Sequence, residues 1–235
     1  MKSIGHVGDT AIESIDAAGL AHFIRNNFVL GPVPTVPEIL LHTAGPRSCM
    51  RRLAERYEHF RTPYWAYLWG GGLALARYLL DHPYVVEGRR VLDLGTGSGI
   101  VGIASAKVGA SQIIASDVDP YAIVGSSVNA KANGAELLPL LGDLTAGPPP
   151  QVDVVLVGDL FYDAVLAARV TAFLDRCLGA GMAVLIGDPY RAHLPTTRLD
   201  AIANYPGPDF AGLASDAGRL NTVFQFRTET HAEDR

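Results

Sequence analysis

Four acids in this chain close short apolar runs: Asp117 ends SQIIASD, Asp143 ends ELLPLLGD, Asp159 ends VDVVLVGD and Asp188 follows MAVLIG. A fifth, Asp93, lies inside such a run, in VLDLGTGSGIVG. A carboxylate in such a place can accept hydrogen bonds from hydroxyls and amines or pair with a cation. Asp159 is followed by Leu160, Phe161 and Tyr162, so an acid stands beside aromatic side chains. That pairing suits the orientation of an amine and its shielding from water. The alternative for Phe161 and Tyr162 is packing beneath the next helix.

The glycines after Asp93 read as Asp93-x-Gly95-x-Gly97-x-Gly99, a strand running into a loop that opens a helix. Glycines let a ligand approach the backbone, and a helix N-terminus faces polar or anionic groups. The competing frame, Gly97-x-Gly99-x-x-Gly102 with Asp117 downstream, fits the dinucleotide fingerprint. Two features favour the first. Gly95 and Thr96 would separate the strand from the fingerprint's first glycine, and Asp93 would be an unexplained buried acid. A cationic amino-acid head, such as that of S-adenosylmethionine, gives Asp93 a partner. Asp117, with Val118 beside it, suits a ribose diol, whereas Asp119 before Pro120 reads as a helix cap. Asp143 would take an adenine amino group or shape a turn after Gly142. Asp163 reads as a helix cap, and Asp188 as a second substrate acid or simply a strand end.

These residues need strands to carry them and helices to cover the strands. From RRVLDLG onward, apolar runs alternate with helical patterns, and runs with no polar face belong to strands buried on both sides. The expectation is an α/β fold with a doubly wound, mostly parallel sheet over residues 63–235. TVFQFRT reads as a last strand and HAEDR as a frayed end. Residues 1–62 read as an N-terminal helical extension. One helix falls within 11–30, GPVPTVP forms a proline elbow, Pro37 opens another helix, and CMRRLAERYEHF gives a further one. Glu38 would then meet a basic substrate or stand solvated at a helix start. Trp65 and Trp69 precede three glycines, as core aromatics or as part of a ligand surface.

The chain's 235 residues suit one large domain, 49% apolar and 18% charged residues suit a globular one, and a net charge of -5 disfavours nucleic-acid binding. Cys49 and Cys177 stand apart and the histidines are scattered, so neither a disulfide nor a metal site is expected. The N-terminus has no signal- or transit-peptide pattern, and no apolar run approaches the ~20 residues of a membrane span. A soluble, cytoplasmic protein with no membrane association is the expectation.

With these motifs in place the chain resembles the class I, seven-β-strand, Rossmann-like methyltransferases. Within them it is similar to the lysine methyltransferases of the electron transfer flavoprotein β subunit. FIRNNFVLGPVPTVPEILLH, PYWAYLWGGGLALARYLLDHP, Asp-Leu-Phe-Tyr and LIGDPYRAHLP carry the resemblance, which spans nearly the whole chain. It implies S-adenosylmethionine as cofactor, with S-adenosylhomocysteine as product. Trp69 and Gly70 to Gly72 would border it, Asp93, Gly95 and Gly97 would meet its methionine end, and Asp117 its ribose. Asp159, Phe161 and Tyr162 would stand where the substrate lysine meets the methyl group. The extension would contribute to the cleft, with Glu38, Trp65 and Asp188 as candidate substrate contacts. The alternatives are a methyltransferase of ribosomal or other proteins with broader lysine specificity, and a non-catalytic cofactor-binding protein.

Overall fold

A computed structural model describes residues 16–46, 48–56, 60, 62–209 and 220–228. The chain opens with helix α1 (Ala17–Asn27), followed by strands β1 (Val29–Val33) and β2 (Val36–Thr43) and helix α2 (Met50–Arg56). Helix α3 (Gly70–Asp81) leads to β3 (Arg90–Leu94), α4 (Ile100–Lys107), β4 (Gln112–Asp117) and α5 (Pro120–Ala132). Then come β5 (Leu138–Leu141), β6 (Val154–Gly158), α6 (Ala164–Gly179), β7 (Ala183–Asp188), β8 (Leu199–Pro206) and β9 (Leu220–Phe226). Residues 11–15, 57–59 and the HAEDR end, which the sequence reading included, lie outside the described residues.

Seven strands form one sheet in the order β5-β4-β3-β6-β7-β9-β8, parallel except at β9, which pairs antiparallel with β7 and β8. The order reverses between β3 and β6, opening a crevice beyond their carboxyl ends. Neighbouring residues along the central strands enter opposite cores. Val91, Val154 and Leu156 join α3 and α4 on one face, while Leu92, Val155 and Val157 join α6 on the other. Burial on both faces is why these strands read as unbroken apolar runs.

The extension corrects the sequence reading at one point. Residues 29–43 form an antiparallel hairpin, and Pro37 lies in a strand rather than opening a helix. Ile39 and Leu41, two residues apart, are both fully buried against α3 and α4, a period of two that only a strand satisfies. Side-chain amides of α5 and of Asn133, which caps its end, substitute for a further strand along β2. Asn133 accepts from the Leu40 N–H at 2.9 Å and donates to its carbonyl at 2.6 Å, and Asn129 accepts from the His42 N–H at 2.8 Å. Asn129 also donates to the Ser98 carbonyl in the glycine loop at 2.9 Å, so one residue ties hairpin and loop together. Helix α1 packs Leu20, Ile24 and Phe28 into a cluster with Trp65 and Tyr121. Among the described residues no helix is long and apolar enough to cross a membrane.

Candidate active site

The crevice holds a cavity of about 450 Å³ whose wall includes Gly95, Gly97, Asp117, Val118, Asp143 and Asp159. A smaller recess of about 50 Å³ opens beside it, bordered by Trp69, Gly95 and Gly97 and by two acids, Asp93 and Asp159.

The loop after β3 is shaped to leave this space. Gly95 adopts φ 70°, and a Cβ there would fall 2.7 Å from Leu160. Gly97 donates its N–H to Asp117 Oδ2 at 2.9 Å, joining the tips of β3 and β4, and Gly99, at φ 84°, starts α4 without lining either space. Asp93 Oδ2 accepts from the Thr96 hydroxyl at 2.6 Å and the Gly102 N–H at 3.0 Å. Burial nevertheless pushes its pKa up to about 6, and among the described residues no cationic side chain pairs with it. Asp117 is also raised by burial, against hydrogen bonds from the Asp119 and Gly97 N–H groups. Asp143 faces the cavity but is engaged on both oxygens, by Thr145 and by Arg169.

Asp159 turns the chain at the end of β6 with φ 58°, a left-handed conformation that Asp tolerates better than most residues. Its side chain is almost enclosed. Oδ2 accepts the Gly72 N–H at 2.7 Å, from the first turn of α3, while Oδ1 accepts Arg191 Nε at 3.1 Å and Nη2 at 2.5 Å. Burial raises the Asp159 pKa, with Arg191 and Gly72 opposing it. Arg191 also donates to Asp209 Oδ1 at 3.1 Å, and its guanidinium lies 5.3 Å from the Trp69 ring centroid. Tyr190, at φ 63°, is a strained residue that turns the chain after β7 so that Arg191 reaches back to Asp159. Asp188 accepts the Arg191 backbone N–H at 2.6 Å; it is fully buried, lines neither space, and burial lifts it to about 7.

The aromatic candidates separate. Tyr162 stands at the cavity mouth, 58% exposed, 6.4 Å from Tyr64, and Tyr64 is 5.8 Å from Trp69. Phe161 points the other way. It is completely buried in the core beneath α6 and lines neither space, so the aromatic side chains at the mouth are Tyr64, Trp69 and Tyr162. Trp65 lines the cavity while stacking on Phe28 at 5.7 Å. Gly70 borders neither space; its N–H reaches Asp209 at 3.2 Å, and a Cβ on it would strike Asn221. Glu38 lies on β2, paired with Arg77 of α3 at 2.7 Å and away from the cavity, and that hydrogen bond lowers its pKa. Sequence reasoning assigned no role to Tyr64, Arg191 or Asp209. A row of strand-tip acids with no cation among the candidates was the available signal for Arg191.

Residues 75–168 match the family model of ribosomal protein L11 methyltransferase (PrmA). The chain is 38% identical to the electron transfer flavoprotein beta subunit lysine methyltransferase of Rattus norvegicus, over 83% of this chain and 79% of that protein. It is also 38% identical to the Danio rerio protein of the same name, over 79% of this chain and 74% of that one. The chain belongs to that family. A solved structure of ribosomal protein L11 methylase from Lactobacillus delbrueckii covers 66% of this chain and 77% of its own, at 21% identity and a TM-score of 0.48. As a lysine methyltransferase of this family, the chain keeps its strand-tip acids and aromatic mouth on one side of the sheet. The extension braces them through Phe28 on Trp65, and Asn129 of α5 ties its hairpin to the glycine loop.

Proposed function

We propose that this family member transfers methyl groups from S-adenosylmethionine to lysine side chains of the electron transfer flavoprotein β subunit. One observation carries the reading: Asp93 and Asp159 border the same small recess beside the large cavity. One acid is left for a cationic cofactor head and the other for an incoming amine. The residues fit the cofactor on its own chemistry, because a buried carboxylate with no cationic partner among the described residues is costly until a cation arrives. Asp93 would hold the ammonium, Asp117 the ribose hydroxyls, and Val118 with Leu144 the apolar flank of the base. When bound, the cofactor supplies an electrophilic methyl group on a sulfonium.

The chain's task is then alignment and dehydration. Asp159, held at both oxygens, offers a fixed acceptor that orients the amine lone pair. Tyr64, Trp69 and Tyr162 exclude water around it, and their ring faces tolerate a cationic product. Support for the protein substrate comes from the names of the Rattus norvegicus and Danio rerio relatives. The test incubates the full chain with electron transfer flavoprotein and methyl-labelled cofactor, followed by peptide mapping. Label on β-subunit lysines is expected. Label only on other proteins of a lysate would indicate broader lysine specificity, and cofactor binding without any transfer would indicate a non-catalytic binder.

A further inference from the structure

A carboxylate alone is a poor companion for a nucleophilic amine. It can orient the nitrogen, yet its charge raises the amine pKa and favours the protonated form, which has no lone pair to attack with. Arg191 stands against this carboxylate. Its guanidinium, itself largely buried, places two N–H groups on Asp159 Oδ1 while the Gly72 N–H occupies one position on Oδ2. Of the roughly four acceptor positions of a carboxylate, one remains, on Oδ2.

We infer that Arg191 is a positioning residue for methyl transfer, holding Asp159 ionised and fixed while offsetting the negative charge that a substrate amine would meet there. The assignment rests on the lysine-methyltransferase reading. The cluster is balanced so that this one cation matters. Asp188 from β7, Asp209 from the segment after β8, and Asp159 itself surround Arg191. Asp93 shares the recess, Asp117 lines the adjoining cavity, and burial raises the pKa of the nearby Tyr162 hydroxyl, which keeps it neutral. Among the described residues no other cationic side chain borders either space, so without the guanidinium only the bound cofactor's own charge offsets these acids at the amine. Asp159, already pushed upward by burial, would also take up a proton and lose its acceptor role. Both consequences move the ascending limb of the pH–rate profile to higher pH. Removing Asp209 acts in the opposite direction, because its charge raises the Asp159 pKa and favours a protonated amine.

The experiment measures kcat/KM against pH for lysine methylation of electron transfer flavoprotein by wild type, Arg191→Gln, Arg191→Lys and Asp209→Asn. S-adenosylhomocysteine binding by calorimetry reports separately on the cofactor cavity. Arg191→Gln is expected to shift the ascending limb upward by about one pH unit or more. Arg191→Lys should return it most of the way, and Asp209→Asn should shift it downward. The assignment is overturned if the limbs of Arg191→Gln and Asp209→Asn stay where they are or move together, whatever happens to kcat. If Arg191→Gln does not fold or loses the cofactor site, the Asp209→Asn direction decides alone. A wild-type protein that binds cofactor and labels no lysine overturns the underlying reading, and the Arg191 assignment with it.

Discussion

Gly71 and Gly72 are adjacent in the first turn of α3, and replacing each by alanine should have opposite consequences. A Cβ on Gly71 would lie 2.1 Å from the Gly187 carbonyl oxygen of β7 and 2.8 Å from Asp159 Oδ2. The first obstacle is backbone, so it cannot swing aside; α3 must retreat by about 1 Å to restore ordinary contact. Overpacking of this kind costs about 1–3 kcal/mol, and the backbone clash argues for the upper end. Alanine regains about 0.5–1 kcal/mol of helix propensity. The net loss is about 2 kcal/mol, or about 4–8 °C in Tm for a chain of this size. Displacing α3 also displaces the Gly72 N–H that fixes Asp159, and misplacement by about 1 Å costs about 100-fold in rate. On Gly72 a Cβ would meet nothing nearer than Ile100 at 3.5 Å, an ordinary contact, and alanine keeps the N–H. Gly72→Ala should therefore melt at or slightly above wild type and remain active. Differential scanning calorimetry and a labelled-methyl assay on both variants test the pair. A Gly71→Ala protein that melts with wild type, or a Gly72→Ala protein that falls equally far, refutes the reasoning.

Three further outcomes follow from the same geometry. Asp93 holds its proton more tightly folded (about 6) than unfolded (3.8), so its contribution to stability is full below 3.8 and is lost as pH rises through about 6. Above pH 6 Asp93→Asn should gain about 1–3 kcal/mol of stability in urea titrations, yet bind S-adenosylmethionine at least about tenfold more weakly by calorimetry; unchanged affinity would remove Asp93 from the cofactor site. Asp159→Asn should lower kcat by about 100-fold or more while cofactor affinity stays within a few-fold, and near-normal methylation would end its positioning role. Asn133→Ala removes both hydrogen bonds to Leu40 and should cost about 2–3 kcal/mol in urea unfolding, with no loss if the hairpin is held by its apolar side chains alone.

Much of this was legible in the sequence because it depends on neighbours along the chain. Central strands announced themselves as two-sided apolar runs, and the caps Asp119 and Asp163 lie within three residues of the N–H groups they accept. Local signals failed where the deciding partner was remote. The hairpin at 29–43 is completed by Asn133, 93 residues from Leu40, and three prolines obscured a period of two over Ile39 and Leu41. Arg191 lies 32 residues from Asp159 and 18 from Asp209, a pairing that no spacing rule reports. Phe161 and Tyr162 look equivalent in sequence. The turn at Asp159 sends one into the core and the other to the mouth.

The acids at the carboxyl edge of the sheet show why residue type at a strand tip does not define a role. Asp117 spends its oxygens on the Gly97 and Asp119 N–H groups, so it fixes the loop that a ligand would meet as well as facing the cavity. Asp143 is a turn residue held by Thr145 and Arg169. Asp188, raised by burial to about 7, lines neither space. Asp93 and Asp159 border the same recess, and only Asp159 has a cation of its own among the described residues. Under the proposed function that difference would divide their tasks. The uncompensated acid gains most from a cationic ligand group. The compensated one can accept a hydrogen bond from an amine without forcing it to remain protonated. Under the proposed function it is the partner, rather than residue type, that would separate cofactor anchor from substrate guide.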